Sequence, residues 1–139
     1  MKRALVLVEG PTEERVINAC LRPYLEPRGM VLVPKIVATK RTIGAAHHKG
    51  ARLAPSVFKD DETVVSEIAA IASKHATPED IDDGPDTAPS KRVKRAFPRY
   101  QKTVHGIEAL KSIGVDRIRE ACPHFASWLG ALEAIAAAP

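Results

Sequence analysis

Ala4-Leu5-Val6-Leu7-Val8-Glu9-Gly10-Pro11-Thr12-Glu13-Glu14 is the stretch on which the reading of this chain turns. The unbroken apolar run from Ala4 to Val8 predicts a strand covered on both faces, because a strand with one wet face alternates. Glu9, Gly10 and Pro11 stop it. Thr12 is then placed to cap a helix whose first turn carries Glu13 and Glu14, the charge sign that a helix N-terminus favours. Glu9 therefore stands at the C-terminal tip of a buried strand, where open α/β sheets take their ligands. As a turn residue alone it is a solvated acid, and as part of a sheet it is a ligand-facing carboxylate.

Working outward, Val16, Ile17, Cys20, Leu21 and Tyr24 recur at helical spacing, so the helix should run from Thr12 to about Arg22, with Pro23 bending or ending it. Gly29 introduces a β-branched run from Met30 to Thr39, a second strand. Pro34 in that run calls for an edge position or a bulge. Strand, helix and strand together make the start of a sheet with a right-handed crossover. Residues 40 to 55 have no period and read as a loop. His47 and His48 in it are neighbours whose side chains point apart, so they fit surface or hydrogen-bonded histidines rather than a metal site. Gly44 to Gly50 does not make a phosphate loop, since Lys49 precedes the second glycine and no Ser or Thr follows it.

Beyond the loop, Val64, Val65, Ile68, Ile71 and Ala72 form a helical stripe over about 61 to 74, with Asp60, Asp61 and Glu62 as its N-terminal acids. Thr77 to Pro89 is turn chemistry, and Asp82 and Asp83 lack the alternating oxygens of a calcium loop. Ser90 should cap the following helix, which Pro98 closes. On it Val93 and Phe97 share one face while Lys91, Arg92, Lys94 and Arg95 cover the rest. Phe97 and Tyr100 among cations suit either a core or a surface on which bases stack. Val104, Ile107 and Leu110 predict a short helix weakened by Gly106, and Gly114 separates it from Val115 to Glu120. Pro123 then opens a last helix with the stripe Phe125, Trp128, Leu129, Leu132 and Ile135, and the tail Ala136 to Pro139 should fray.

A chain of 139 residues makes one domain of ordinary core size. Its apolar runs are too short to span a bilayer, and Glu9 interrupts any signal-like segment after Met1-Lys2-Arg3, so a cytoplasmic protein without membrane partners is expected. Cys20 and Cys122 fall short of a disulfide framework or a four-ligand zinc site, and lie in apolar patterns that suit packing. The net charge of +4 is unevenly spread. Residues 27 to 59 hold seven Lys or Arg and no acid, residues 60 to 86 hold nine acids and one Lys, and residues 87 to 107 hold six Lys or Arg and no acid. Basic blocks of this kind can meet phosphates or can simply be solvated surface.

LVEGPTEE with LRPYLEPRG, VATKR and HHKG resembles the N-terminus of a bacterial TOPRIM-like family, domain of unknown function 4276, across residues 3 to 58. PEDIDDGPDTAPSKRVKRAFPRYQKTVHG with DRIREACPHFASWL resembles the end of the same family, across 78 to 133. The resemblance implies an α/β fold: an incomplete TOPRIM-like sheet with an N-terminal β-α-β unit, followed by a helical C-terminal part. The single domain then divides into a TOPRIM-like half (1–58), a shortened junction (59–77) and a helical region (78–139). TOPRIM enzymes cut or rejoin nucleic-acid phosphodiesters with a divalent metal, which neutralises phosphate charge and activates the attacking group. By this resemblance Glu9 is the catalytic and metal-binding carboxylate, Gly10 lets the backbone approach the substrate, and Mg2+ or Mn2+ is the cofactor.

The acidic pair that should follow a later strand is not evident between Phe58 and Pro78. Asp80-Ile81-Asp82 has the spacing but lies in a polar loop, which suggests that an internal block of the family is absent and that metal-dependent cleavage is impaired. Two functional classes follow. One is a metal-dependent nuclease in which Lys40, Arg41, Lys49 and Arg52 hold phosphates. The other is a non-catalytic accessory protein, binding nucleic acid through those residues and Lys91, Arg92, Lys94 and Arg95, or serving an ABC-like ATPase, as the likeness to OLD-type nucleases in phage defence implies. A third outcome is a chain with no stable function, because lost strands expose sheet edges.

Overall fold

The computed structural model describes residues 1–37, 62–81 and 88–139. Two parallel strands, β1 (Lys2–Val8) and β2 (Met30–Ile36), pair in register from Lys2 opposite Met30 to Val8 opposite Ile36. Their connection is helical throughout. It comprises α1 (Pro11–Val16), a π-helical turn (Ile17–Leu21), α2 (Arg22–Leu25) and a 3-10 turn (Glu26–Arg28). Pro23 therefore does not end the helix. The π turn places the Arg22 N–H on the Ile17 carbonyl, which shifts the ladder by one residue just before the residue that has no N–H to give. Gly29, at φ 88°, supplies the left-handed exit into β2, a conformation that strains any residue with a Cβ.

The helix also starts differently from the sequence expectation. Gly10 is its N-cap and Pro11 its first residue, so Thr12 lies inside the first turn rather than capping it. Likewise Ala88, not Ser90, precedes α4 (Pro89–Ala96). In both helices proline takes the first-turn position, where its missing N–H costs nothing.

The second half is helical: α3 (Glu62–Ala72), a 3-10 turn (Pro78–Asp80), α4, a π turn (Lys102–Gly106), α5 (Ile107–Ile113), α6 (Val115–Ala121) and α7 (Pro123–Ala137). Gly114, at φ 81°, turns the chain between α5 and α6. One core joins the halves. Val8, Ile17, Leu21, Leu25, Met30 and Leu32 of the sheet unit meet Val115 and Leu129, with Phe125, Leu132 and Ala136 packed against them. Each fully buried Leu contributes about 1.5–3 kcal/mol relative to exposure. The expected fraying at Ala136 is not observed, since α7 continues to Ala137 and the Lys2 ammonium donates to the carbonyls of Ile135 and Ala138 at 2.9 and 2.6 Å. A cation there satisfies helix-end carbonyls and opposes the dipole.

Burial of β1 departs from the expected two-sided cover. Ala4, Val6 and Val8 face the core, whereas Leu5 and Leu7 are each 65% exposed. The cause is architectural: the crossover helices and α7 pack on one face of the sheet. On β2 the outer face carries half-buried Val33 and exposed Lys35, with exposed Val37 just past the strand, while Val31 beside Arg3 is covered. Cys20 and Cys122 are free, half-buried thiols whose pKa burial raises, in keeping with a packing role. No helix among the described residues is long and apolar enough to cross a membrane.

Candidate functional site

Glu9 directly follows the last residue of β1 and is exposed at the C-terminal tip of the parallel pair, where the Val37 N–H donates to the Val8 carbonyl at 2.9 Å. Gly10 is extended (φ −163°, ψ −175°), a conformation open to any residue, and a Cβ there would lie 3.5 Å from Glu13 Oε2 in ordinary contact. Its backbone thus has no conformational need for glycine.

One turn into α1, the Glu13 carboxylate meets the Lys102 ammonium at 3.1 Å, across 89 residues of sequence. Burial works against the Glu13 charge, but its own backbone N–H, the Lys102 ammonium and the Gly10 N–H outweigh it and hold the carboxyl below its usual range. Beside this pair the Arg15 guanidinium donates to the Thr103 carbonyl at 3.4 Å. The turn after Glu9 is therefore docked on the segment that begins the C-terminal helices.

That segment is aromatic as well as basic. His105 is buried, with Phe97 edge-on at 5.6 Å and Tyr100 stacked at 6.0 Å between ring centroids. The Gln101 N–H donates to His105 Nδ1 at 2.8 Å, which leaves the ring proton of the neutral imidazole on Nε2. Burial raises the Tyr100 pKa, with Lys102 opposing. Phe97 ends α4, so the basic helix and the strand tip are linked in space through Phe97, His105 and Lys102. On α4 Lys91, Lys94 and Arg95 are exposed and Arg92 is half-buried, and the helix packs chiefly on α3. Lys40, Arg41, Lys49 and Arg52, with His47 and His48, lie outside the described residues.

The acids near the junction have other occupations. Glu79 accepts the backbone N–H groups of His124 and Phe125, each at 2.9 Å, and pairs with His124 Nδ1 at 3.0 Å. It caps α7 from 45 residues away. The His124 N–H is the main cause of its lowered pKa, joined by the Phe125 N–H and the His124 ring against a smaller effect of burial. Asp80 closes a capping box with Thr77, accepting its backbone N–H at 2.7 Å and its hydroxyl at 2.9 Å. Asp82, its partner in the Asp-x-Asp spacing, lies outside the described residues, as do Asp60 and Asp61. Among the described residues no group of three or more His, Cys, Asp or Glu could hold a metal ion. These residues do not supply Glu9 with the oxygen set that Mg2+ or Mn2+ requires, so no chemical step is assigned to a metal here.

The sequence pattern pointed to Glu9 and to α4 but missed Lys102, Glu13 and His105 as members of one locality. Lys102 stood out only as the last cation of the basic block, and nothing in its neighbours identifies Glu13 as its partner.

Fold and contacts together define an α/β protein in which a short parallel sheet carries a carboxylate at its tip and a helical C-terminal part docks beside it. A family model described as a domain of unknown function (DUF4276) matches residues 53–133, more than half of the chain, and the protein belongs to that family. The match takes in Glu79, α4, Lys102 and His105 and begins after Glu9. No curated protein and no solved structure matches the chain.

Proposed function

We propose that this protein is a TOPRIM-like relative of metal-dependent nucleases that engages nucleic-acid phosphodiesters and, as this chain alone, binds them without cutting. The observation that carries the reading is Glu9 at the C-terminal end of β1 in a parallel strand-helix-strand unit, the position where α/β sheets take ligands. Support comes from the helical part, which brings Lys102 and the aromatic cluster against the following turn and presents exposed Lys91, Lys94 and Arg95 on α4. Cations of this kind hold a phosphate backbone by charge and release counterions. The non-cutting half of the proposal draws on the described acids: both Glu79 oxygens accept N–H groups of α7, and Asp80 Oδ2 accepts from Thr77. An ABC-like ATPase as a further partner, in phage defence, belongs to the same reading by resemblance.

Fluorescence anisotropy with a short DNA and its RNA counterpart tests it. Affinity should fall steeply as salt rises, and the triple variant Lys91→Glu, Lys94→Glu, Arg95→Glu should weaken binding uniformly across sequences. Plasmid incubated with the chain and Mg2+ or Mn2+ should stay uncut. Absence of binding at low salt would overturn the proposal, and nicking that Glu9→Gln abolishes would overturn its non-cutting half.

A further inference from the structure

Positions 3, 5, 7 and 9 are all exposed, and they read cation, leucine, leucine, carboxylate. Arg3, Leu5 and Leu7 share the outer face of β1, opposite the side chains that enter the core. Val37, just past the end of the neighbouring strand, adds apolar surface beside this strip at 44% exposure. Parallel sheets are covered on both faces in nearly all α/β proteins, because their strands are apolar on both sides. The order of charges says what would cover this one. Read backwards, carboxylate, leucine, leucine, cation is its complement.

We infer that two copies of this chain pack sheet to sheet through the outer face of β1, with Arg3 of each copy set against Glu9 of the other. A two-fold axis crossing the strand at Val6 sets Leu5 opposite Leu7 of the second copy and places an Arg3–Glu9 pair at each end. The two ends lie about 20 Å apart, from six residues at about 3.3 Å each. Facing sheets stand about 10 Å apart, a gap that an arginine and a glutamate close between them. The contact is self-complementary, as a two-fold interface must be. A parallel arrangement would set Arg3 on Arg3 and Glu9 on Glu9, and an uncharged partner would strip water from both without replacement. Lys35 beside Leu7 lies on the flanking strand, where its stem can cover apolar surface while its ammonium reaches water. Each copy thereby lends a guanidinium to the other's strand-tip carboxylate. The inference rests on the face itself; it shares Glu9 with the nucleic-acid reading, and sedimentation tests it independently of nucleic-acid binding.

Sedimentation equilibrium of the full chain should give about twice the 15.1 kDa chain mass. Arg3→Glu and Glu9→Arg, each alone, should weaken the dimer about tenfold or more, and the double exchange should restore it, because the opposed charges are swapped together. Circular dichroism of each variant separates a lost contact from a lost fold. As a second measurement, a mixture of Leu5→Cys and Leu7→Cys chains under mild oxidation should form the 5-to-7 crosslink in preference to 5-to-5 or 7-to-7. A native chain that sediments as a monomer at all concentrations overturns the inference. So does a double exchange no tighter than the single variants, or a preference for like-position crosslinks.

Discussion

Residues 1–37 and residues 62–106 are held in place by different forces. The sheet unit buries Val8, Ile17, Leu21, Leu25, Met30, Val31 and Leu32, so its position follows from apolar burial. In 62–106 the buried residues among those described are Val64 and His105, and the segment is fastened instead by polar contacts with distant partners. Glu79 caps α7, Lys102 meets Glu13, and Arg15 reaches the Thr103 carbonyl. Burial is non-directional and provides most of the stability, whereas a hydrogen-bonded ion specifies which surface meets which while adding little energy. The strand tip and the basic helix are brought to one locality by contacts of the second kind together with the Phe97–His105 ring contact.

The contrast is easiest to break in the core of the sheet unit, where burial is complete. Leu32→Ala, in a fully buried site, should cost about 2–5 kcal/mol in urea unfolding. A smaller loss than that of any polar variant below would mean that burial does not dominate the sheet unit. Gly29→Ala meets no atom within 4 Å but must hold a left-handed φ, so a loss of about 1–2 kcal/mol is expected from strain alone.

The polar fastenings sharpen the comparison through pH. The Glu79 carboxyl is held below its ordinary range in the folded protein, so its contribution is present above the unfolded pKa and is lost as pH falls through the lowered folded value. Glu79→Gln should lower Tm at neutral pH and flatten the acid limb of the stability curve. Hydrogen exchange should quicken at the His124 and Phe125 amides while β1 and β2 stay protected. Glu13 obeys the same sign, and Lys102→Ala should cost less than about 1 kcal/mol, as exposed pairs do. Uniform exchange across the chain in these variants would show the two regions to unfold as one unit. The smallest effect is reserved for Gly10→Ala, within about 0.5 kcal/mol, because the backbone there is extended and the new methyl meets Glu13 at 3.5 Å.

Much of this was legible beforehand because it is local. The β-branched run after Gly29, the period of Val16 to Tyr24, and Pro123 with the Leu129 stripe each announce an element within a few residues, and each is observed. The caps were misread where a proline competed with a hydroxyl: Pro11 and Pro89 take the first turn, and Thr12 and Ser90 follow inside it. At Pro23, where a bend or an end was expected, the helix continues because a π turn absorbs the missing donor, and no residue pattern signals that turn.

By itself the sequence determined the β-α-β start, the helical second half, the glycine turns at Gly29 and Gly114 and the placement of Glu9 at a strand end, all set by periodicity and backbone preference over short spans. Only the tertiary structure decided that Leu5 and Leu7 of β1 lie exposed, that Lys102 meets Glu13 and that Glu79 caps α7. Those outcomes depend on which surfaces pack together across tens of residues. A leucine has the same apolar area wherever it sits, and an ammonium the same charge. Burial and pairing belong to the neighbours that the fold supplies.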